Sequence, residues 1–390
     1  MNISKFNGIS GKIEIVASEI DGVKIEYPYF MPSNLPTLQE IGLDPELFQK
    51  TNEANLALGE LKGLTKNIGN IRLFANSYMV REAVISSKIE GTHVSMTDVF
   101  LEEAGREERK LDVIEVRNFL HALQFGVNEL RNGSPIAKDM INHMHYLLLS
   151  KVRGAERKVG EFRKCQNWIG PKRKGVLEAA FVPPHAKYVE DLIKYLIDYM
   201  NLSDDVSRLL KVGLMHYYFE TIHPYEDGNG RLGRTLILLY LIRLKVLSEP
   251  ILYLSPFFDK NKEEYYDLLM KTRKEGDYLT WLKFFLDGVK EMSEDTAKRM
   301  KKIILLYNDY KEKLVEIRAT PITYRLLDML FENPYATIPT MATKLETNYP
   351  MVKRGFDYLE ENGIIESVTR GRRNKFFRAT KILAILERDD

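Results

Sequence analysis

The chain has 390 residues, so at roughly 100–200 residues per domain it divides into two or three. Its 57 Lys and Arg against 55 Asp and Glu leave a net charge of +2, which excludes a chain-wide polyanion binder and an acidic solvating tail. One cysteine, Cys165, excludes an intrachain disulfide and a cysteine-rich metal site, and it fits a reducing compartment.

The first twenty residues lack a basic start followed by an apolar run, so no signal peptide is expected. Residues 1–35 alternate weakly and read as a strand or hairpin ending at Pro32 and Pro36. A helix is predicted over 44–69 and another over 71–89, the latter stopped by Gly91. Residues 111–130, 136–149 and 189–200 carry apolar side chains at helical spacing. Between the last two, 162–185 is rich in Gly and Pro and reads as a hairpin or ordered loop. Helices are predicted over 204–221 and 231–245, separated by a Gly-rich turn, and again over 261–275 and 278–317. The most apolar stretch, 236–242, is interrupted by Arg243 and Lys245 and falls far short of the roughly 20 residues of a membrane span. A cytoplasmic, soluble protein with no membrane contact is therefore expected. Beyond 320 the pattern gives helices over 323–331, 338–345 and 349–362, then two short strands around 369–373.

The sharpest feature is the string from His223 to Arg234. Gly228 and Gly230 flank Asn229 just before a helix, where successive N–H groups can turn inward as an anion nest. The helix N-terminus adds its own positive partial charge. Arg231 and Arg234 lie three apart on one face of that first turn. Two arginines at the positive end of a buried helix call for anions, either carboxylates of a neighbouring helix or a polyphosphate, whose oxygens match guanidinium bidentately. His223 is the nearby group able to accept a proton near neutral pH, and Asp227 offers a hard oxygen suited to Mg²⁺ shared with phosphates. Base, metal ligand, nest and arginines together describe a nucleotidyl or phosphoryl transfer site.

The string resembles the Fic family motif HPFx(D/E)GNGRxxR, with Tyr225 in place of Phe. The resemblance implies a mainly α Fic-type helical core with a β-hairpin flap. It implies that His223 takes the proton from a Ser, Thr or Tyr hydroxyl of a target protein and that Asp227 holds Mg²⁺. Gly228, Asn229 and Gly230 would cradle the α- and β-phosphates of ATP, with Arg231 and Arg234 on the outer phosphates and Leu232 and Gly233 completing the ATP-binding turn. Gly230 stands where the Doc-like branch has Lys, which favours transfer of AMP over phosphate. Gly160 to Arg163, Trp168 to Gly170 and Phe181 to Pro184 look like the region leading into the family's flap, which would hold a target segment as an added strand. Tyr265 and Tyr266 sit where the family usually provides adenine-pocket side chains. Read singly, such a pair is one core and one surface residue.

Ser86 to Gly91 resembles the family's inhibitory motif (S/T)xxxE(G/N), placed N-terminal to the catalytic string. By that resemblance Glu90 would pair with Arg234, occupy the place of the γ-phosphate, and leave ATP misplaced for in-line attack. Read alone, Ser86 and Glu90 are a solvated helix face before a Gly stop. Residues 320–390 look like a winged helix-turn-helix module, with 349–362 as its recognition helix and Arg370, Arg372, Arg373, Lys375 and Arg378 in its wing. DNA and a protein are both candidate partners for it.

The expected organisation is an N-terminal region over 1–110, a catalytic core over 111–318, and the C-terminal module over 319–390. The expected activity is protein adenylylation from Mg-ATP, with self-modification and an unidentified target protein. Two other readings are a DNA-binding regulator with a nucleotide-sensing core, and removal of AMP by the same site. A homo-oligomer is compatible with all three.

Overall fold

In the computed structural model, residues 3–20, 23–42, 44–66, 72–105, 110–150, 152, 158–170, 175–202, 207–368 and 375–387 are described. Strands β1 (Gly11–Ile20) and β2 (Val23–Pro32) form the antiparallel hairpin expected near the N-terminus, in register from Gly11–Pro32 to Ile20–Val23. Helix α1 (Leu38–Ile41) follows, closed by a capping box between Thr37 and Glu40. Then come α2 (Pro45–Lys66), α3 (Arg72–Ile89) and α4 (Met96–Glu103). Next are α5 (Leu111–Arg131), α6 (Lys138–Leu149) and α7 (Val189–Asn201). The central helices are α8 (Arg208–Ile222) and α9 (Asn229–Arg243), followed by α10 (Ser255–Lys260), α11 (Lys262–Glu275) and the long α12 (Tyr278–Glu316). The C-terminal part runs α13 (Pro321–Glu332), β3 (Tyr335–Thr337), α14 (Ile338–Lys344), α15 (Tyr349–Glu361), β4 (Glu366–Ser367), β5 (Phe376–Arg378) and α16 (Thr380–Glu387).

The chain resolves into two compact units. The first comprises residues 1–57, 121–247 and 254–291. Its centre is α8, in which every residue from Leu209 to Ile222 is buried, packed along α9, which is apolar nearly all round. A helix without a polar face has no stable place except inside, so these two form the axis that the other helices cover. Of the hairpin or ordered loop expected over 162–185, residues 162–170 and 175–185 are described, and one antiparallel bridge joins them, Ile169 with Phe181. The N-terminal hairpin backs this loop. Tyr27 and Tyr29 of β2 pack on Val176, Ala179 and Val182, and the Phe30 N–H donates to the Val182 carbonyl at 2.9 Å.

The second unit comprises residues 58–120, 248–253 and 292–390. Here α13 packs on α3 and α15, and the three short strands form one antiparallel sheet in the order β3-β5-β4. Buried Arg299 holds Asp295 at 2.7 Å and caps the end of α16 through the Ile385 carbonyl at 2.9 Å. Three elements here escaped the sequence reading. Helix α4 is capped by Ser95 and Asp98, while β3 and α16 are too short to show a period. Arg370, Arg372 and Arg373, and the strands expected around 369–373, lie outside the described residues, apart from the flanking β4 and β5. No helix among the described residues is long and apolar enough to cross a membrane.

Candidate active site

The turn between α8 and α9 brings the motif residues together. His223 ends α8 in a left-handed conformation, φ 49° and ψ 61°, which costs a non-glycine residue about 1–2 kcal/mol. Pro224 follows and cannot continue a helix. Asn229 then closes the turn on itself, its Oδ1 accepting from the Tyr225 N–H at 2.9 Å and its Nδ2 donating to the Tyr225 carbonyl at 2.8 Å. Gly228 at φ 76° is the N-cap of α9, in a conformation that suits glycine. Its N–H donates to Asp227 Oδ1 at 2.7 Å. Helix α9 therefore begins at Asn229, two residues before the predicted start, because the Asn side chain folds back and frees the backbone to coil.

Arg231 and Arg234 stand in the first turn of α9, 6% and 4% exposed. Two guanidinium groups thus lie buried at the positive end of a helix. Gly233 sits where α9 packs tightly on α8, and a Cβ there would meet Glu220 Oε1 at 2.3 Å and the Phe219 ring at 3.0 Å. Its role is close packing of the two helices. Gly230 and Asp227 are half-buried, as is His223.

Tyr225, the departure from the motif, is fully buried and keeps its hydroxyl satisfied on Asn142 Oδ1 at 2.7 Å. Its ring stacks on His145, centroids 3.7 Å apart and 8° from parallel. His145 Nδ1 accepts from the Gly160 N–H at 2.9 Å, which leaves Nε2 to donate to the Asp227 carbonyl at 3.1 Å. Burial holds the His145 ring neutral, with its pKa lowered to about 4. A single neutral imidazole thus fixes both the ring under the turn and the backbone of Asp227. Sequence reading gave His145 no role, because a histidine on the apolar face of α6 looks like any core residue. Arg163, read only as part of the flap-like region, and Asn167, which was given no role, both reach the His223 carbonyl.

Among the described residues no cluster of three or more His, Cys, Asp or Glu is arranged to hold a metal ion by itself. One carboxylate beside an anion nest instead suits a Mg²⁺ ion that arrives on phosphate oxygens, and Asp227 fits that requirement.

The two tyrosines divide as core and surface. Tyr265 is 1% exposed and bonds His216 Nε2 at 2.8 Å, inside a cluster with Phe258 and Trp281, whereas Tyr266 is 42% exposed. In the second unit Ser86 is buried in α3, and Glu90 and Gly91 stand exposed just beyond its end.

Comparison with known proteins finds related sequences and folds. Residues 48–128 match the Fic/DOC family N-terminal region and residues 135–241 match the Fic/DOC family. Protein adenylyltransferase Fic of Drosophila willistoni is 24% identical over 211 residues, 52% of this chain and 38% of that protein. A probable protein adenylyltransferase of Aquifex aeolicus is 28% identical over 99 residues, 25% of this chain and 28% of that protein. The chain thus spans well under half the length of these curated relatives. A Fic family protein from Desulfovibrio desulfuricans shares the fold, with a TM-score of 0.56 at 19% identity, covering 89% of this chain and 98% of that one. Fic-1 of Caenorhabditis elegans aligns with a TM-score of 0.52 at 20% identity, over 67% of this chain and 75% of that one.

Proposed function

We infer that this chain, a Fic-domain protein by the two regions matched above, transfers AMP from ATP to a hydroxyl side chain of a protein. The observation that carries this reading is the α8–α9 turn. It sets a left-handed His223 opposite a helix N-terminus that holds two buried arginines. His223 takes the proton of the target hydroxyl, the hydroxyl oxygen bonds to the α-phosphorus, and the bond to the β-phosphate oxygen breaks to release pyrophosphate. The N–H groups at the start of α9, with Arg231 and Arg234, hold the polyphosphate and stabilise the charge that builds on it. Asp227 would hold Mg²⁺ on the phosphates, where the ion supplies charge neutralisation. Tyr266 offers the adenine an exposed ring, supported from behind by Tyr265 at 5.0 Å between centroids. Gly230 leaves room beside the phosphates and favours AMP transfer.

Glu90 restrains this activity, and removal of its carboxylate releases it. The C-terminal elements α13, β3, α14, α15, β4 and β5 are read as a winged helix. Its described basic residues are partly neutralised: Lys353 pairs with Asp357 and Arg378 with Glu366, each at 2.6 Å. That favours a protein partner over DNA for this module.

The test uses ATP labelled at the α- or the γ-phosphate. Label from the α position should pass to protein, label from the γ position should not, and His223→Ala should abolish transfer, a fall of about 10³-fold. Affinity for ATP should stay within about threefold, because His223 handles the proton and not the phosphates. Transfer of γ-label, or loss of nucleotide binding with loss of transfer, would replace this reading.

A further inference from the structure

Every backbone carbonyl from Ile222 to Tyr225 receives a donor from outside the helix, and two residues supply nearly all of them. Arg163 Nη2 donates to Ile222 at 3.3 Å, Arg163 Nε to His223 at 2.9 Å, and the Arg163 backbone N–H to Pro224 at 3.0 Å. Asn167 Nδ2 donates to His223 at 3.2 Å and to Tyr225 at 2.9 Å. The remaining Arg163 contacts are also carbonyls, Pro184 at 2.5 Å and Cys165 at 3.4 Å. Arg163 is 3% exposed, and among the described residues no carboxylate forms an ion pair with it. Burying a cation against carbonyls alone is costly unless those carbonyls form a concentrated negative end. The C-terminus of α8 is such an end. A second buried arginine, Arg273, serves the turn just before it, reaching the Glu220 carbonyl at 3.0 Å and Thr221 Oγ1 at 3.1 Å.

We propose that Arg163, assisted by Asn167, is the positioning residue that holds His223 in its left-handed conformation and so aims the imidazole at the target hydroxyl. The inference rests on the assignment of His223 as the base. Residue 223 is not glycine and it precedes a proline, so the left-handed conformation it holds needs support from outside. Its carbonyl is turned outward there, and the guanidinium fork locks that direction with paired donors on successive carbonyls. Release of the fork lets the residue relax toward the extended backbone values that the following Pro224 favours, which swings the Cα–Cβ bond and the imidazole away. The same guanidinium ties the Pro184 carbonyl, in the loop that includes Phe181, to the His223 carbonyl. One side chain thereby fixes the base relative to the loop read as the target's docking edge.

The chemistry distinguishes aiming from general stabilisation. Lysine keeps a cation at the helix end but is a point charge without the planar fork. In a Glu90→Gly background, Arg163→Lys should recover most of the melting temperature lost by Arg163→Ala, yet keep the rate at saturating ATP at least roughly tenfold down. Half-saturating ATP should move by less than about threefold, since the phosphate contacts are elsewhere. Asn167→Ala, which removes a lesser donor, should lower the same rate by roughly threefold with ATP saturation unchanged. It also serves where Arg163→Ala does not fold. Recovery of both stability and rate by Arg163→Lys would overturn the proposal, leaving Arg163 a structural charge. Full rates in both Arg163→Lys and Asn167→Ala would overturn it too. If transfer proceeds equally in His223→Ala, the assignment of the base fails first and this inference falls with it. A His223-dependent enzyme indifferent to residues 163 and 167 removes the inference alone.

Discussion

The α8–α9 turn and the C-terminal helix α15 both place basic side chains near a helix start, with opposite consequences. Arg231 and Arg234 are nearly inaccessible at the start of α9, and Arg163 is buried beside the same turn. Lys353 and Arg354 are exposed in the first turns of α15, and Lys353 finds Asp357 one turn along its own helix. Exposed pairs of this kind contribute about 0–1 kcal/mol and place few demands on their surroundings. A buried guanidinium is different, because the fold must supply oxygen partners or leave an anion to do so. The α8–α9 turn and the start of α15 therefore differ in the burial of their cations more than in the presence of them.

That contrast can be broken at a buried polar side chain under the turn. His145 belongs to the turn's support, and its folded pKa of about 4 lies below the usual 6.5. Above pH 6.5 the ring is neutral in both states and adds no pH dependence. Below it the unfolded chain takes up a proton that the folded site refuses, so stability falls as pH drops toward 4. Between pH 6.5 and 4.5 this histidine alone should cost on the order of 2 kcal/mol, and His145→Gln should remove that share of the acid slope in urea titrations. Identical slopes in the two proteins would show that the ring is not held neutral. A second probe is Gly233→Ala, whose Cβ must displace Glu220 or Phe219. It should cost about 1–3 kcal/mol and lower the melting temperature, whereas an unchanged melt would show that α8 and α9 have slack. The smallest effect belongs to the other region: Arg378→Ala, which breaks an exposed pair with Glu366, should change stability by less than about 0.5 kcal/mol. A loss several times larger would mean that exposed cations here bear more than the comparison allows.

The order of helices was readable because α5, α7 and α12 carry apolar side chains at helical spacing. The motif string was readable because its residues are contiguous, so base, nest and arginines appear in one line of sequence. What holds the string was not. Arg163, Asn167, His145 and Asn142 lie 56 to 83 positions from the atoms of the α8–α9 turn that they touch, and no spacing rule connects them. The pair Tyr265 and Tyr266 shows the same limit, since adjacency in sequence does not tell which ring faces inward. Helix α4 shows the reverse. Ser95 and Asp98 form a capping box visible in the sequence, yet the helix is only 8 residues long and its period too brief to register.

The most direct test of the account is the intact mass of the purified chain after incubation with Mg-ATP. It would be run on the wild type, on Glu90→Gly and on the double variant Glu90→Gly with His223→Ala. Glu90→Gly should gain whole AMP units about tenfold faster than the wild type, equivalent to about 1.4 kcal/mol of barrier, and the double variant should gain none. An added mass of phosphate instead of AMP, or AMP accumulating equally without His223, would contradict it.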